Sequence, residues 1–333
     1  MTTATRTPGR YGWVKDAPDS RDHPRIVAPE ELASVPVSVD LSTDPNMPPV
    51  YDQQQIGSCT ANAIAAAFEY DLRRQGLTDF MPSRLFIYYN ERAMEGTVDS
   101  DSGAQIRDGI KSIAQQGLVP ESEWPYDGAP ANSDGSWPAG HLAAKRPPAA
   151  LYAEAAGDEA VQYLAVTQQA DQIKAVLAAG DPVVFGFTVY ASFESDAVAQ
   201  SGDAPMPAPG EQEVGGHCVV CVGYDDARGV WICRNSWGTG WGKGGYFTLP
   251  YAYLTDGNLA SDFWTVKQVT VAQPSPSPVP PQPGPAPQPP TPSHDPADLA
   301  LVATLGPWSR EHHIGKNEVA ARAFIAWRET KGL

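Results

Sequence analysis

The stretch QQQIGSCTANAIAAAFEYD, Gln53 to Asp71, sets a single cysteine between a glutamine-rich turn and an alanine-rich apolar run. Gly57 and Ser58 bring the chain in tightly, and Ser58 suits a helix N-cap. Ala61 to Arg74 holds helix formers almost throughout, until Gly76 stops the run. Cys59 is therefore expected in the first turn of a helix. There the unpaired amide N–H groups and the positive end of the helix dipole favour thiolate over thiol, the state a cysteine nucleophile needs. A cysteine in such a place also serves simply as a small buried hydrophobe, so its partners decide.

Of the six histidines, His294, His312 and His313 fall in or beyond a proline-rich stretch, His23 lies near the N-terminus, and His141 sits in a Pro/Ala-rich loop. His217 alone opens a β-rich run, after Gly215 and Gly216. A second run, Val230 to Asn235, follows the Asp225–Gly229 turn. A hairpin with Tyr224 opposite Val230 is expected to bring His217 and Asn235 onto one face near its open end, provided no bulge intervenes. An amide there accepts the imidazole N–H and fixes the tautomer, leaving the other ring nitrogen for the thiol. In the run Asn235-Ser236-Trp237-Gly238-Thr239-Gly240-Trp241-Gly242, the indole of Trp237 is placed to shield that bond from water; packing alone is the plainer role for such a turn.

Helical patterns also cover Pro82–Met94, Gln105–Gln116 and Asp171–Ala179. Strand patterns cover Pro182–Val189, His217–Tyr224, Val230–Arg234 and Tyr246–Leu249. Helices first and strands second imply an α+β fold of two lobes, with the site in the cleft between them. Around it the chain divides into an N-terminal leader (1–34), a catalytic body (35–272), a Pro-rich linker (273–297) and a short helical tail (298–333), the last a candidate docking element for a protein partner. The leader is either a strap or a removable inhibitor. The Pro/Gly/acid-rich segment Ala191–Val214, just before His217, is either a cap on the cleft or a solvated loop.

The composition excludes several classes. No run of about 18 apolar residues exists to span a membrane, and Met1–Arg25 lacks a signal-peptide apolar core. A net charge of −16, with the acid excess outside the evenly balanced C-terminal residues 295–333, argues against a nucleic-acid partner. Four cysteines in 333 residues make no disulfide framework, so the default compartment is the cytoplasm, with non-Sec export open. Cys218 and Cys221 are an odd number of residues apart and face opposite sides of a regular strand. With Cys233 they therefore make no metal site, and no cofactor is expected. His312-His313 reads as a solvated pair.

Val35-Pro36, Val39-Asp40, Pro49-Val50, Gln53 six residues before Cys59, Gly57-Ser58-Cys59 and Asn235-Ser236-Trp237-Gly238 together resemble the papain-like cysteine proteases over residues 35 to about 260. The resemblance implies the papain-like fold, with a helical N-terminal and a β-rich C-terminal lobe. It implies a peptidase acting on peptides or proteins through an acyl-thioester. Cys59 would be the nucleophile, His217 the general base and acid, and Asn235 its orienter. Gln53 would form the oxyanion hole with the Cys59 backbone N–H. Gly103 and Ala104 would offer backbone bonding to an extended substrate, with Gly216 across the cleft and Trp237 beside it. The sequence departs from the family in three ways. Ile56 and Thr60 replace the usual cysteine and aromatic around the nucleophile, the spacing from Cys59 to His217 is longer, and a short leader stands where a long inhibitory pro-segment is usual. Two alternatives stay open: an amide hydrolase or acyl transferase on a non-protein substrate, and a non-catalytic peptide-binding module. The intact four-residue set argues against the second.

Overall fold

A computed structural model of the chain describes residues 11–156 and 159–270. The expected linker and tail, and the first ten residues of the leader, lie outside these. In chain order the elements are β1 (Trp13–Val14), α1 (Pro29–Ala33), β2 (Ser38–Asp40), α2 (Cys59–Arg74), α3 (Arg84–Glu95), β3 (Ala104–Gln105), α4 (Ile106–Gln116), α5 (Ala149–Ala155) and β4 (Glu159–Ala165). They continue with α6 (Ala170–Ala178), β5 (Val183–Tyr190), α7 (Asp196–Ser201), β6 (Glu213–Asp225), β7 (Val230–Arg234), β8 (Tyr246–Pro250), α8 (Tyr251–Thr255) and β9 (Ala260–Thr270). The division into helices first and strands second holds.

Helix α2 is buried from Cys59 to Leu72, which explains its alanines: small side chains let α3 and α4 pack on one side and β6 and β9 on the other. It ends where Gly76 turns left-handed at φ 66°, with the Leu77 N–H reaching the Leu72 carbonyl at 3.0 Å. Ser58 does not cap this helix. Its hydroxyl lies 2.6 Å from the Tyr126 hydroxyl and accepts from Asn62 Nδ2 at 3.0 Å, so neighbouring side chains take the oxygen that a cap would use.

Seven strands form one antiparallel sheet in the order β4-β9-β5-β6-β7-β8, with β2 added to β6. Alternate residues serve two cores. Val184, Cys218, Val220 and Val222 pack with α2, whereas Val183, Phe185, Val219 and Cys221 pack with α6 and Phe193. The expected opposite facing of Cys218 and Cys221 is met.

The expected hairpin register is corrected. Asp225, not Tyr224, lies opposite Val230, and a bulge between Cys221 and Gly223 shifts the ladder so that Val220 pairs with Arg234. Continued one step, Asn235 lies opposite Val219 and diagonal to His217. Both remain on one face because the bulge moves the partner by one residue and diagonal neighbours share parity.

Strands β4 and β9 have no counterpart in the sequence reading. β9 pairs with both β4 and β5, and Asp262 within it has a positive φ of 60° that breaks its local pattern. Ala191–Val214 is more than a solvated loop. It carries α7, and Phe193 is buried against Phe187, Trp237, Trp241 and Phe247.

Candidate active site

Cys59 opens α2 with no exposed surface. Burial pushes its thiol up to about 12, against backbone hydrogen bonds from Cys218, Gly12 and Thr60, with the Glu91 charge adding to the rise. Burial therefore opposes the thiolate that the helix start favours. Gly12 of the leader closes over the sulfur, and exclusion of water outweighs the helix-terminus effect.

The Cys218 backbone bond to the sulfur brings β6, and with it the neighbouring His217, against the start of α2. His217 Nε2 lies 2.9 Å from Asn235 Oδ1, and the same oxygen accepts the Ser236 N–H at 2.8 Å. Because a backbone N–H can only donate, Ser236 fixes the amide orientation, and His217 must then donate through Nε2. Nδ1 is left as the basic nitrogen. Trp237 stacks on the imidazole at 4.9 Å and 24°, while Phe187 approaches edge-on at 5.8 Å, so the His217–Asn235 bond is walled from water.

Gln53 reaches the same cluster from the turn before α2. Its backbone N–H donates to the Ser236 carbonyl at 2.8 Å, and its Oε1 accepts the Ser236 hydroxyl at 2.6 Å. Its Nε2 donates to the Ile56 carbonyl at 3.0 Å. An amide NH₂ has two protons, so one remains beyond the bond to Ile56. Three further residues build the site. Ser236 clamps Gln53, the Tyr126 hydroxyl donates to the Gln53 carbonyl at 2.8 Å, and Asp101 accepts the Gly57 N–H at 2.9 Å. Ser236 was visible inside the Asn-Ser-Trp-Gly run. Tyr126 and Asp101 carry no sequence signal because only the fold brings them to the turn.

The leader fills the groove. The Gly12 carbonyl accepts the Ala104 N–H at 2.7 Å, and Trp13 and Val14 pair in parallel with Ala104 and Gln105. A Cβ at Gly103 would lie 2.1 Å from the Gly12 oxygen, and one at Gly216 would lie 2.5 Å from the Trp13 oxygen. Gly103, Ala104 and Gly216 therefore line one groove, and a polypeptide lies in it. Tyr11 continues along the chain, edge-on to His217 at 5.9 Å and tilted on Trp237 at 6.3 Å. Beyond β1, Arg107 donates to the Ala17 carbonyl and pairs with Asp22 at 2.6 Å, anchoring the leader to α4.

Among the described residues no helix is long and apolar enough to cross a membrane, and all four cysteines are free thiols.

A family model for papain family cysteine proteases matches residues 35–262. Xylellain, a cysteine protease from Xylella fastidiosa, has a crystal structure 43% identical to the chain, at TM-score 0.74, covering 81% of this chain and 99% of that one. An uncharacterized peptidase C1-like protein, L477, of Acanthamoeba polyphaga mimivirus is 38% identical over 283 residues, 78% of this chain and 87% of its own length. Thiol protease aleurain of Arabidopsis thaliana is 28% identical over 235 residues, 65% of this chain, and the match spans little more than half of aleurain, 56%. Digestive procathepsin L 3 of Tenebrio molitor, at 18% identity and TM-score 0.55, shares the fold. With the family model spanning most of the body that holds Cys59, His217 and Asn235, the chain belongs to the papain family of cysteine proteases.

Proposed function

We propose that this cysteine peptidase cuts peptide bonds with Cys59, His217, Asn235 and Gln53, and that residues 11–14 hold it latent by occupying the substrate groove. The observation that carries the first part is the 2.9 Å bond from His217 Nε2 to Asn235 Oδ1, on a strand whose Cys218 N–H meets the Cys59 sulfur. Nδ1 takes the thiol proton, and the sulfur attacks the substrate carbonyl carbon. The second Gln53 Nε2–H and the Cys59 N–H hold the resulting oxyanion. The imidazolium then protonates the leaving amine, and water attacks the thioester with His217 again as base. Asn235 holds the tautomer throughout, and Trp237 keeps water from its bond.

Latency follows from how the leader lies. The Gly12 N–H points at the sulfur, and its carbonyl oxygen is taken by Ala104, not by the oxyanion donors. The leader therefore occupies the groove without offering its carbonyl for attack. That a polypeptide fits the groove through backbone bonding also favours peptides over non-protein amides. We assign residues 35–272 to the peptidase body, 1–34 to the latency segment, and the remainder to a linker and a partner-docking tail.

Labelling with a thiol-directed epoxide tests both parts. Label is expected on Cys59 and not on Cys218, Cys221 or Cys233, slowly in the intact chain and faster once the leader is cut away. Peptide hydrolysis should vanish in Cys59→Ala; full activity in that variant refutes the assignment. Equal labelling before and after leader loss refutes latency.

A further inference from the structure

Beneath the turn that carries Gln53, polar side chains form one line of hydrogen bonds that starts at Arg84 on α3. The Arg84 guanidinium grips Glu121 through Nε and Nη2, at 2.7 Å each, and its Cζ lies 3.8 Å from the centroid of the Tyr126 ring. The remaining nitrogen, Nη1, donates to the Asp52 carbonyl and to Asn62 Oδ1, both at 3.0 Å. A guanidinium only donates, so it fixes which end of the Asn62 amide faces it. Asn62 Nδ2 then donates to Ser58 Oγ at 3.0 Å. At the far end the Tyr126 hydroxyl donates to the Gln53 carbonyl at 2.8 Å, which uses its one proton, so Ser58 is the donor in the 2.6 Å bond between the two hydroxyls. Every link thus has one direction. Burial holds the Tyr126 hydroxyl above its ordinary range, so its proton stays in place.

Two features tie this line to the reaction. Arg84 and Tyr126 hold the carbonyls on either side of the Gln53 Cα, those of Asp52 and of Gln53 itself. The Ser58 carbonyl, whose peptide bond carries the Cys59 N–H, accepts the Asn62 N–H at 3.0 Å and Asn62 Nδ2 at 2.9 Å. Gln53 Nε2 and the Cys59 N–H are therefore mounted on backbone segments that Tyr126 and Asn62 join.

We propose that Arg84, Asn62 and Tyr126 are positioning residues that set the spacing of the two oxyanion donors, acting through Gln53 and Ser58 and not on substrate. The proposal rests on the reading of Gln53 and the Cys59 N–H as those donors. Packing alone would be met by a ring and an apolar chain; a directed line of donors is needed only to hold the turn at one geometry. Ser58, Asn62 and Arg84 are buried, so the loss of one link strands the next. A shift of about 1 Å in a catalytic group is enough to slow a reaction about a hundredfold.

The test compares two reactions of Cys59 in the same full-length chain. Peptide hydrolysis builds an oxyanion, whereas alkylation by iodoacetamide displaces iodide and builds none. Both need an open groove, so the ratio of kcat/KM to the alkylation rate constant cancels leader occupancy. Tyr126→Phe keeps the ring beside Arg84 and removes only the hydroxyl. Its ratio should fall about tenfold to a hundredfold, through kcat and not KM. Arg84→Met should fall by about tenfold, and Arg84→Lys, which keeps a cationic donor, by less. Gln53→Ala, measured alongside, should fall about a hundredfold or more. A Tyr126→Phe ratio within about twofold of the parent, or a fall through KM alone, overturns the proposal, and a loss in Gln53→Ala then leaves the oxyanion reading standing. An unchanged ratio in Gln53→Ala removes that reading and the proposal with it. Should Arg84→Met fail to fold by thermal unfolding, Tyr126→Phe decides.

Discussion

Both carboxylate oxygens of Asp101 accept the backbone N–H of Gly57, at 2.9 and 3.1 Å, two residues before the nucleophile. The Tyr88 hydroxyl donates to the same carboxylate at 2.5 Å and accepts the Gly103 N–H at 3.2 Å. A buried carboxylate thus joins the nucleophile turn to the groove wall, close to Ile56, where the family usually has a cysteine. Burial first, and then the Asp101 charge, raise the Tyr88 hydroxyl well above its ordinary range, so it stays a donor. Asp101→Ala strands the Gly57 and Tyr88 donors and should cost about 3 kcal/mol of stability in denaturant unfolding. A loss under about 0.5 kcal/mol, the range of an ordinary surface change, would remove the clasp from the account.

Asn235→Ala should leave the fold nearly intact and lower kcat on the order of a hundredfold, because an imidazole without its Nε2 acceptor is free to turn and to change tautomer. KM should move little, since Asn235 faces His217 and not the groove. Steady-state kinetics of the activated enzyme check this; a change confined to KM would mean that Asn235 contacts substrate instead.

Much of this site was legible because its chemistry depends on residue type at short range. Cys59 before an alanine helix, His217 after two glycines and the Asn235 run each declare themselves locally, and strand parity separated Cys218 from Cys221. What failed was anything set by a single-residue slip or by distant packing. The bulge at Val222 sets Asn235 opposite Val219 and so on the face of His217, and nothing in Cys221-Val222-Gly223 announces it. Ser58 had the composition of a cap and lost that role to Tyr126, 68 residues away. Burial opposes the thiolate expected of Cys59, and the leader residue Gly12, seated against Ala104, lies against the sulfur although no local pattern connects it to α2. Asp262 interrupts β9 with a left-handed backbone, and with it the period-two pattern that would mark the strand.

Gly12 passes the catalytic turn so closely that a Cβ on it would sit 1.6 Å from the Gly57 carbonyl oxygen. Since both contacts are backbone, no side chain can yield, and Gly12→Ala must lift the leader from the groove. Overpacking of this kind costs about 1–3 kcal/mol. The full-length variant should therefore alkylate at Cys59 and hydrolyse peptides roughly tenfold to a hundredfold faster than the parent. Unchanged latency would show that the leader holds the groove through the bonds of Trp13 and Asp16 to Asp262 and of Asp22 to Arg107 alone.

The grip of the leader should also depend on pH, through Asp16. Its carboxyl is buried between α4 and β9, accepting from the Arg107 N–H at 3.2 Å and the Trp264 indole at 3.1 Å, with the Arg107 guanidinium 4.0 Å away and Asp262 adjacent. Burial first, then the Asp262 charge, push it up to about 7, and the Arg107 and Trp264 bonds oppose the rise only in part. Asp262 is raised as well, chiefly by burial, with hydrogen bonds from the Asp16 N–H, Ser261 and Trp13 and the Lys15 charge opposing. In a released leader Asp16 returns to its ordinary value of 3.8. The docked state therefore holds the proton more tightly than the released one. Docking is strongest below about pH 4 and weakens as pH rises through 7, by up to about tenfold per pH unit across that window. Cys59, raised in the docked state, acts in the same direction at higher pH. Asp16→Asn stays neutral at every pH and should flatten this contribution. The ratio of parent to Asp16→Asn labelling rates at Cys59 cancels the titration of the thiol itself. That ratio should climb from pH 4 to pH 7; a flat or falling ratio would show that Asp16 does not gate the leader.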